Sequence, residues 1–143
     1  MEKNYDVMVI GPVSLDHNID HLGHERKEVG GAVVASGFAA AGSGAKTAIF
    51  CKLNPDEADL SERFEGIAAD LYWKPSTHTC SIRNQYFTAD KEKRQCTSLG
   101  VCDPFRFDEL PDVKTAIYHF AGLVYGDFGG ALFEAASKHG KVA

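Results

Sequence analysis

Gly30-Gly-Ala-Val-Val-Ala-Ser-Gly-Phe-Ala-Ala-Ala-Gly-Ser-Gly44 is the stretch on which the reading of this chain turns. No charged residue lies between Glu28 and Lys46. Paired glycines come first, then small apolar residues, then a glycine stop. Val34, Phe38 and Ala41 recur at helical spacing, which predicts a helix from about Ala32 to Ala41. With almost no polar face, that helix is expected to be buried. Gly30 and Gly31 let the backbone turn sharply and approach a ligand with no Cβ in the way. A helix N-terminus opening there offers unpaired N–H groups to substrate oxygens. A membrane span needs roughly 20 apolar residues; this window is shorter and rich in Gly and Ser. The competing local reading is a core helix behind an ordinary Gly-Gly turn.

The flanks add a pattern. Tyr5-Asp-Val-Met-Val-Ile10 reads as a buried parallel strand and ends at Gly11. Ser14 and Asp16 then lie beyond its carboxyl end, where open α/β sheets bind ligands. A carboxylate at Asp16 can accept from several hydroxyls at once; the alternative is a turn capped by its own side chain. His17 to Val29 is polar, with a turn at His21-Leu-Gly-His24, and reads as an exposed strand or hairpin. His17, His21 and His24 have no carboxylate or cysteine at ligand spacing, so they suit a polar surface better than a metal site. Lys46 to Leu53 is a second strand.

Further along, Asn54-Pro-Asp-Glu57 suits a helix start, and Leu60, Phe64, Ile67 or Ala68, and Leu71 predict an amphipathic helix from Glu57 to Leu71. Thr79 to Thr88 and Arg94 to Leu99 flank the charged turn Ala89-Asp-Lys-Glu-Lys93 and predict a hairpin. Arg83, Asn84 and Tyr86 alternate faces in it, so some of them can point into a pocket; plain cross-strand pairing is the alternative. Residues 103–113 read as a surface loop with Phe105 and Phe107 tucked inward. Ala116 to Val124 is a strand. Phe128, Leu132 and Ala136 mark a helix face that ends at Lys138-His-Gly140. Lys141-Val-Ala143 begins a further strand.

At 143 residues the chain is long enough to bury a real core. A formal net charge of −5 disfavours nucleic-acid binding, which wants a basic surface. The N-terminus has no apolar signal-peptide core, so a cytoplasmic location is expected. Cys51, Cys80, Cys96 and Cys102 form no C-x-x-C pair, so no zinc or other metal site is expected and reduced thiols are the default.

The strand with an Asp past its end, the Gly-Gly entry to a small-residue helix and the strand after it resemble the N-terminal part of the ribokinase-like (PfkB) carbohydrate kinases. The matching pieces are Val-Ile-Gly-Pro-Val-Ser-Leu-Asp at 9–16, Val-Gly-Gly at 29–31 with the Ala-rich helix to Gly44, and Ala-Lys-Thr-Ala-Ile-Phe at 45–50. The resemblance implies an α/β fold: the N-terminal part of a three-layer α/β/α domain with a small β-sheet lid made of strands at about 17–29 and 78–99. Asp90 and Arg94 fill the acidic-to-Arg turn of that lid. The resemblance also implies a substrate site built from Asp16, Gly30, Gly31, Ser14, Arg83 and Tyr86, a sugar or nucleoside substrate, and ATP with Mg2+. In several family members the lids of two subunits pack together, which implies a homodimer.

Three departures matter. Asn54-Pro55-Asp56 stands where the family more often has a Gly-Asp type turn. Ala35 stands where many members carry an Asn that contacts the sugar. A Gly-Ala-Gly-Asp motif, which holds the catalytic base, does not occur in these residues. The expectation is therefore the substrate-binding part of a kinase, inactive by itself, with its nucleotide-binding part outside the 143 residues. A non-catalytic module that keeps only the pocket and lid is the alternative. A dinucleotide enzyme is disfavoured, because Gly11 does not open a G-x-G-x-x-G run.

Overall fold

A computed structural model describes residues 2–143, apart from the side chain of Glu62. The main sheet has five parallel strands. In chain order they are β1 (Asn4–Ile10), β4 (Thr47–Leu53), β5 (Ala69–Pro75), β8 (Lys114–Phe120) and β9 (Lys141–Val142), and in space they run β5-β4-β1-β8-β9. The second sheet has four strands in the order β3-β2-β6-β7, where β2 is Ser14–Ile19, β3 Glu25–Gly30, β6 Cys80–Tyr86 and β7 Arg94–Gly100. It is two antiparallel hairpins joined edge to edge by the parallel β2–β6 pair.

The core follows from the two-residue alternation of strands. Met8, Ile10, Ala48 and Phe50 face one side, with Phe105, Tyr118, Leu132 and Ala136. Val9, Ile49 and Cys51 face the other, with Val33 and Val13. Helix α1 (Ala32–Gly42) covers the second side. Helix α3 (Gly130–Ser137) and the segment around Phe105 cover the first.

Helix α1 begins and ends about where its spacing predicts, but it turns a different face inward. Val33 and Gly37 are buried, while Phe38 is 42% exposed and Ala35 is exposed. The reason is close approach. A Cβ on Gly37 would stand 2.6 Å from Ile49 Cδ1, so the smallest residues, not the largest, form the seam against β4.

The helix expected over Glu57–Leu71 does not form. Only one turn, α2 (Ser61–Phe64), is helical, and Ala69–Pro75 is β5. Glu57 is diverted: its carboxylate accepts from the Thr79 amide at 2.7 Å. Gly66 then turns the chain at φ +75°. Leu60, Phe64 and Ile67 do pack into the core, so their spacing identified buried residues without identifying a helix. The strand expected over Ala116–Val124 is β8, which stops at Phe120. There the Ala121 amide donates to Ile10 O at 2.7 Å, and the chain turns away.

Candidate substrate site

The order β5-β4-β1-β8-β9 reverses direction at β1: the chain adds β4 and β5 on one side, then β8 and β9 on the other. Such a switch point opens a crevice at the strands' carboxyl ends. Gly11 lies in it. Its amide donates to Phe50 O at 3.1 Å, and a Cβ there would fall 2.1 Å from Ala121 O. Three strand ends converge on that one backbone position.

Beyond Gly11 the chain enters β2, and the β2–β3 register sets Ser14 opposite Gly30. Ser14 is buried, and its Oγ donates to Asp16 Oδ1 at 2.8 Å. The other oxygen, Asp16 Oδ2, stands 2.9 Å from where a Cβ on Gly30 would be. Gly31 adopts φ +110° and caps α1; a side chain there would meet Pro12 O at 3.0 Å and Ser14 N at 3.3 Å. No side chain caps α1, so its first amides keep their donors for other partners. Ser14, Asp16, Gly30 and Gly31 thus come together at one corner, beside the N-terminus of the small-residue helix.

The two remaining expected residues separate. The β2–β6 register pairs Asp16 with Ile82 and His17 with Arg83. Arg83 therefore points to the face opposite Asp16 and does not join the corner. Tyr86 shares the Asp16 face, but it lies four residues past Ile82, about 13 Å along the strand at the usual rise. Lys91 Nζ sits 5.5 Å above its ring. Spacing within β6 shows that its residues alternate; only the partner strand decides which set faces Asp16.

The structure adds residues to this face. Asn84 Nδ2 donates to Asn18 Oδ1 at 3.0 Å, Asn18 Nδ2 donates to Glu28 Oε1 at 3.2 Å, and Arg63 donates to Glu28 Oε2 at 3.0 Å. Asn18 follows Asp16 by two residues, and that period was the signal available for it. Asp127 is buried at the far side of the crevice, its Oδ2 accepting from the Leu123 and Val124 amides at 2.7 and 2.9 Å. Cys80, which begins β6 on this face, has its thiol pushed up to about 11, first by burial and then by the nearby Asp127 carboxylate. Cys51, deeper in β4, is pushed up to about 12, chiefly by burial. Neither is a nucleophile at neutral pH. Among the described residues no group of three or more His, Cys, Asp or Glu side chains can hold a metal ion. Asp16 is the one carboxylate among the four corner residues, and Ser14 already holds one of its oxygens, so the corner does not by itself hold Mg2+.

Solved structures share this architecture. A pyrophosphate-dependent kinase in the ribokinase family, complexed with a pyrophosphate analog and myo-inositol, is 26% identical with a TM-score of 0.79, over 95% of this chain and 46% of that one. A sulfate complex of a pyrophosphate-dependent kinase in the ribokinase family is 24% identical with a TM-score of 0.82, over 95% of this chain and 48% of that one. The adenosine kinase from Sinorhizobium meliloti is 18% identical with a TM-score of 0.61, over 81% of this chain and 46% of that one. The chain spans about half the length of the solved structures it matches. No protein-family model matches it, and no curated protein sequence does.

Proposed function

We propose that this chain, a ribokinase-like fragment, is the substrate-binding part of a phosphotransferase that acts on a hydroxyl of a sugar, cyclic polyol or nucleoside. The observation that carries the reading is the corner itself. Ser14 holds Asp16 Oδ1, which leaves Oδ2 free in front of the side-chain-free Gly30. A substrate hydroxyl donates to Oδ2, and the uncapped start of α1 donates to a neighbouring substrate oxygen. The four-stranded sheet forms the wall over the corner and limits access of water.

What these residues supply is placement, which accounts for much of phosphoryl transfer. The proton acceptor and the donor site belong, on this reading, to chain outside residues 1–143, and the resemblance makes that donor ATP with Mg2+. Two of the solved relatives are named for pyrophosphate, so pyrophosphate is the second donor to test. The same resemblance carries a further proposal, a dimer formed through the four-stranded sheets, and the charged N-terminus carries a cytoplasmic location.

The test is a phosphoryl-transfer assay on the protein carrying this chain, with ATP and with pyrophosphate, against myo-inositol, ribose, fructose and adenosine. Asp16→Ala is expected to raise KM at least tenfold for the accepted substrate. An unchanged KM would show Asp16 to be a turn residue. Residues 1–143 alone are expected to transfer nothing, and turnover by them would refute the assignment of the base elsewhere.

A further inference from the structure

We infer that Asp127 is a positioning residue for the Gly30-Gly31 bend, acting through Leu123. Its backbone is tied to the aromatic core. Phe105 N donates to Asp127 O at 2.9 Å, and Phe105 is itself buried edge-on against Phe50 and Phe128. Gly126, at φ +95°, turns the chain so that the Asp127 side chain folds back on the loop before it. One carboxylate oxygen, Oδ2, then takes both the Leu123 and the Val124 amides. This pair therefore locks the direction of Leu123.

The Leu123 side chain reaches across the crevice to the bend. Its Cδ1 lies 3.5 Å from the position a Cβ would take on Gly31, in the same space as Pro12 O and Ser14 N. Leu123 is thus the wall that Gly31 turns against. The chain of contact runs from the aromatic core to Asp127, to the Leu123 amide, to the Leu123 side chain, and to the corner that carries Asp16.

A second feature marks Asp127 as more than packing. Its Oδ1 is the buried side-chain atom that has no hydrogen-bond partner among the described residues. An unsatisfied buried acceptor costs about 1–3 kcal/mol, and such groups are uncommon in folded proteins. The carboxylate holds two amides at once with one atom, which a shorter side chain does not reach.

That the bend binds ligand rests on the reading above; the mechanical link does not. Hydrogen exchange on the protein carrying this chain separates the two. In Asp127→Ala, the Leu123 and Val124 amides are expected to exchange at least tenfold faster. The Val34 amide, which donates to Gly31 O at 3.1 Å, is expected to do the same, while Phe50 in β4 stays unchanged. Asp127→Asn keeps an acceptor and is expected to restore all three. Leu123→Ala is expected to speed exchange at Val34 while Val124 remains protected, and it decides the matter if Asp127→Ala does not fold. The inference is overturned if Asp127→Ala affects residues 121–127 alone, or if Leu123→Ala leaves Val34 at its original rate. These outcomes hold whether or not any polyol binds.

Discussion

Asp16 Oδ2 faces Gly30 across the β2–β3 pair at 2.9 Å from the site of the missing Cβ. The carboxylate fills space that any other residue at position 30 would claim. Gly30 does not have a positive φ, so Gly30→Ala meets no backbone strain. The methyl instead displaces the free carboxylate oxygen, the one Ser14 does not hold. The expected outcome is a folded protein, with Tm within a few degrees of the original, whose substrate KM rises about tenfold, the equivalent of about 1.4 kcal/mol. Thermal unfolding and steady-state kinetics check both halves.

Gly31→Ala is expected to behave in the opposite way. At φ +110° an L-residue is strained, and the new Cβ would lie 3.0 Å from Pro12 O. Strain of this kind costs about 1–3 kcal/mol. The loss is expected in stability first, as a lowered urea midpoint, with binding affected through it. Two adjacent glycines thus divide into one needed for the ligand and one needed for the turn.

Lys52 is a buried cation at the end of β4. Its Nζ donates to Glu109 Oε1 at 2.9 Å, to Oε2 at 3.1 Å and to Pro104 O at 3.1 Å. Its side chain is 3% exposed, against 26% for Glu109. Removing the carboxylate strands a charge, whereas removing the ammonium leaves a carboxylate that water can reach. Glu109→Ala is expected to destabilise by about 3 kcal/mol, the lower part of the range for a broken buried pair. Lys52→Met is expected to cost less. Denaturant unfolding of the two variants decides the order, and a larger loss in Lys52→Met would reverse the argument.

Acid should loosen the corner between Asn54 and Thr79. The Thr79 amide, ahead of the His78 side chain, holds the Glu57 carboxyl below its usual range. The Thr77 amide does the same for Asp103. A folded-state pKa below the unfolded one gives stability that is complete above the unfolded value, about pH 4, and is lost as pH falls through the lower folded value. Glu57→Gln and Asp103→Asn are each expected to flatten the decline of Tm as pH falls below the unfolded carboxylate value of about 4.

Much of the fold was legible because its signals are local. Apolar β-prone runs gave β1, β4 and β8, and the Gly-Gly entry with small residues gave α1. The charged turn at 89–93 gave the β6–β7 hairpin. The errors arose where a distant partner decides. Glu57 and Gly66 break the expected helix because Thr79 and the β4 edge compete for that segment. Arg83 falls on the face away from Asp16 because the β2–β6 pairing that sets its direction joins strands more than sixty residues apart. Asp127 carries no sequence pattern beyond a Gly-Asp turn; its importance exists only once Leu123 and Val124 fold back onto it.

That parallel β2–β6 ladder has a kinetic consequence. Everything from β3 to β5 must be threaded between its two strands, so closing it means closing a long loop, and such contacts form slowly. The β1–β8 pair of the five-stranded sheet closes a longer loop still, with Tyr5 opposite Thr115. The β1-β4-β5 part of the larger sheet, whose partners lie nearer in sequence, thus forms ahead of both long closures, and the wall that bears Asp16 is completed only after it.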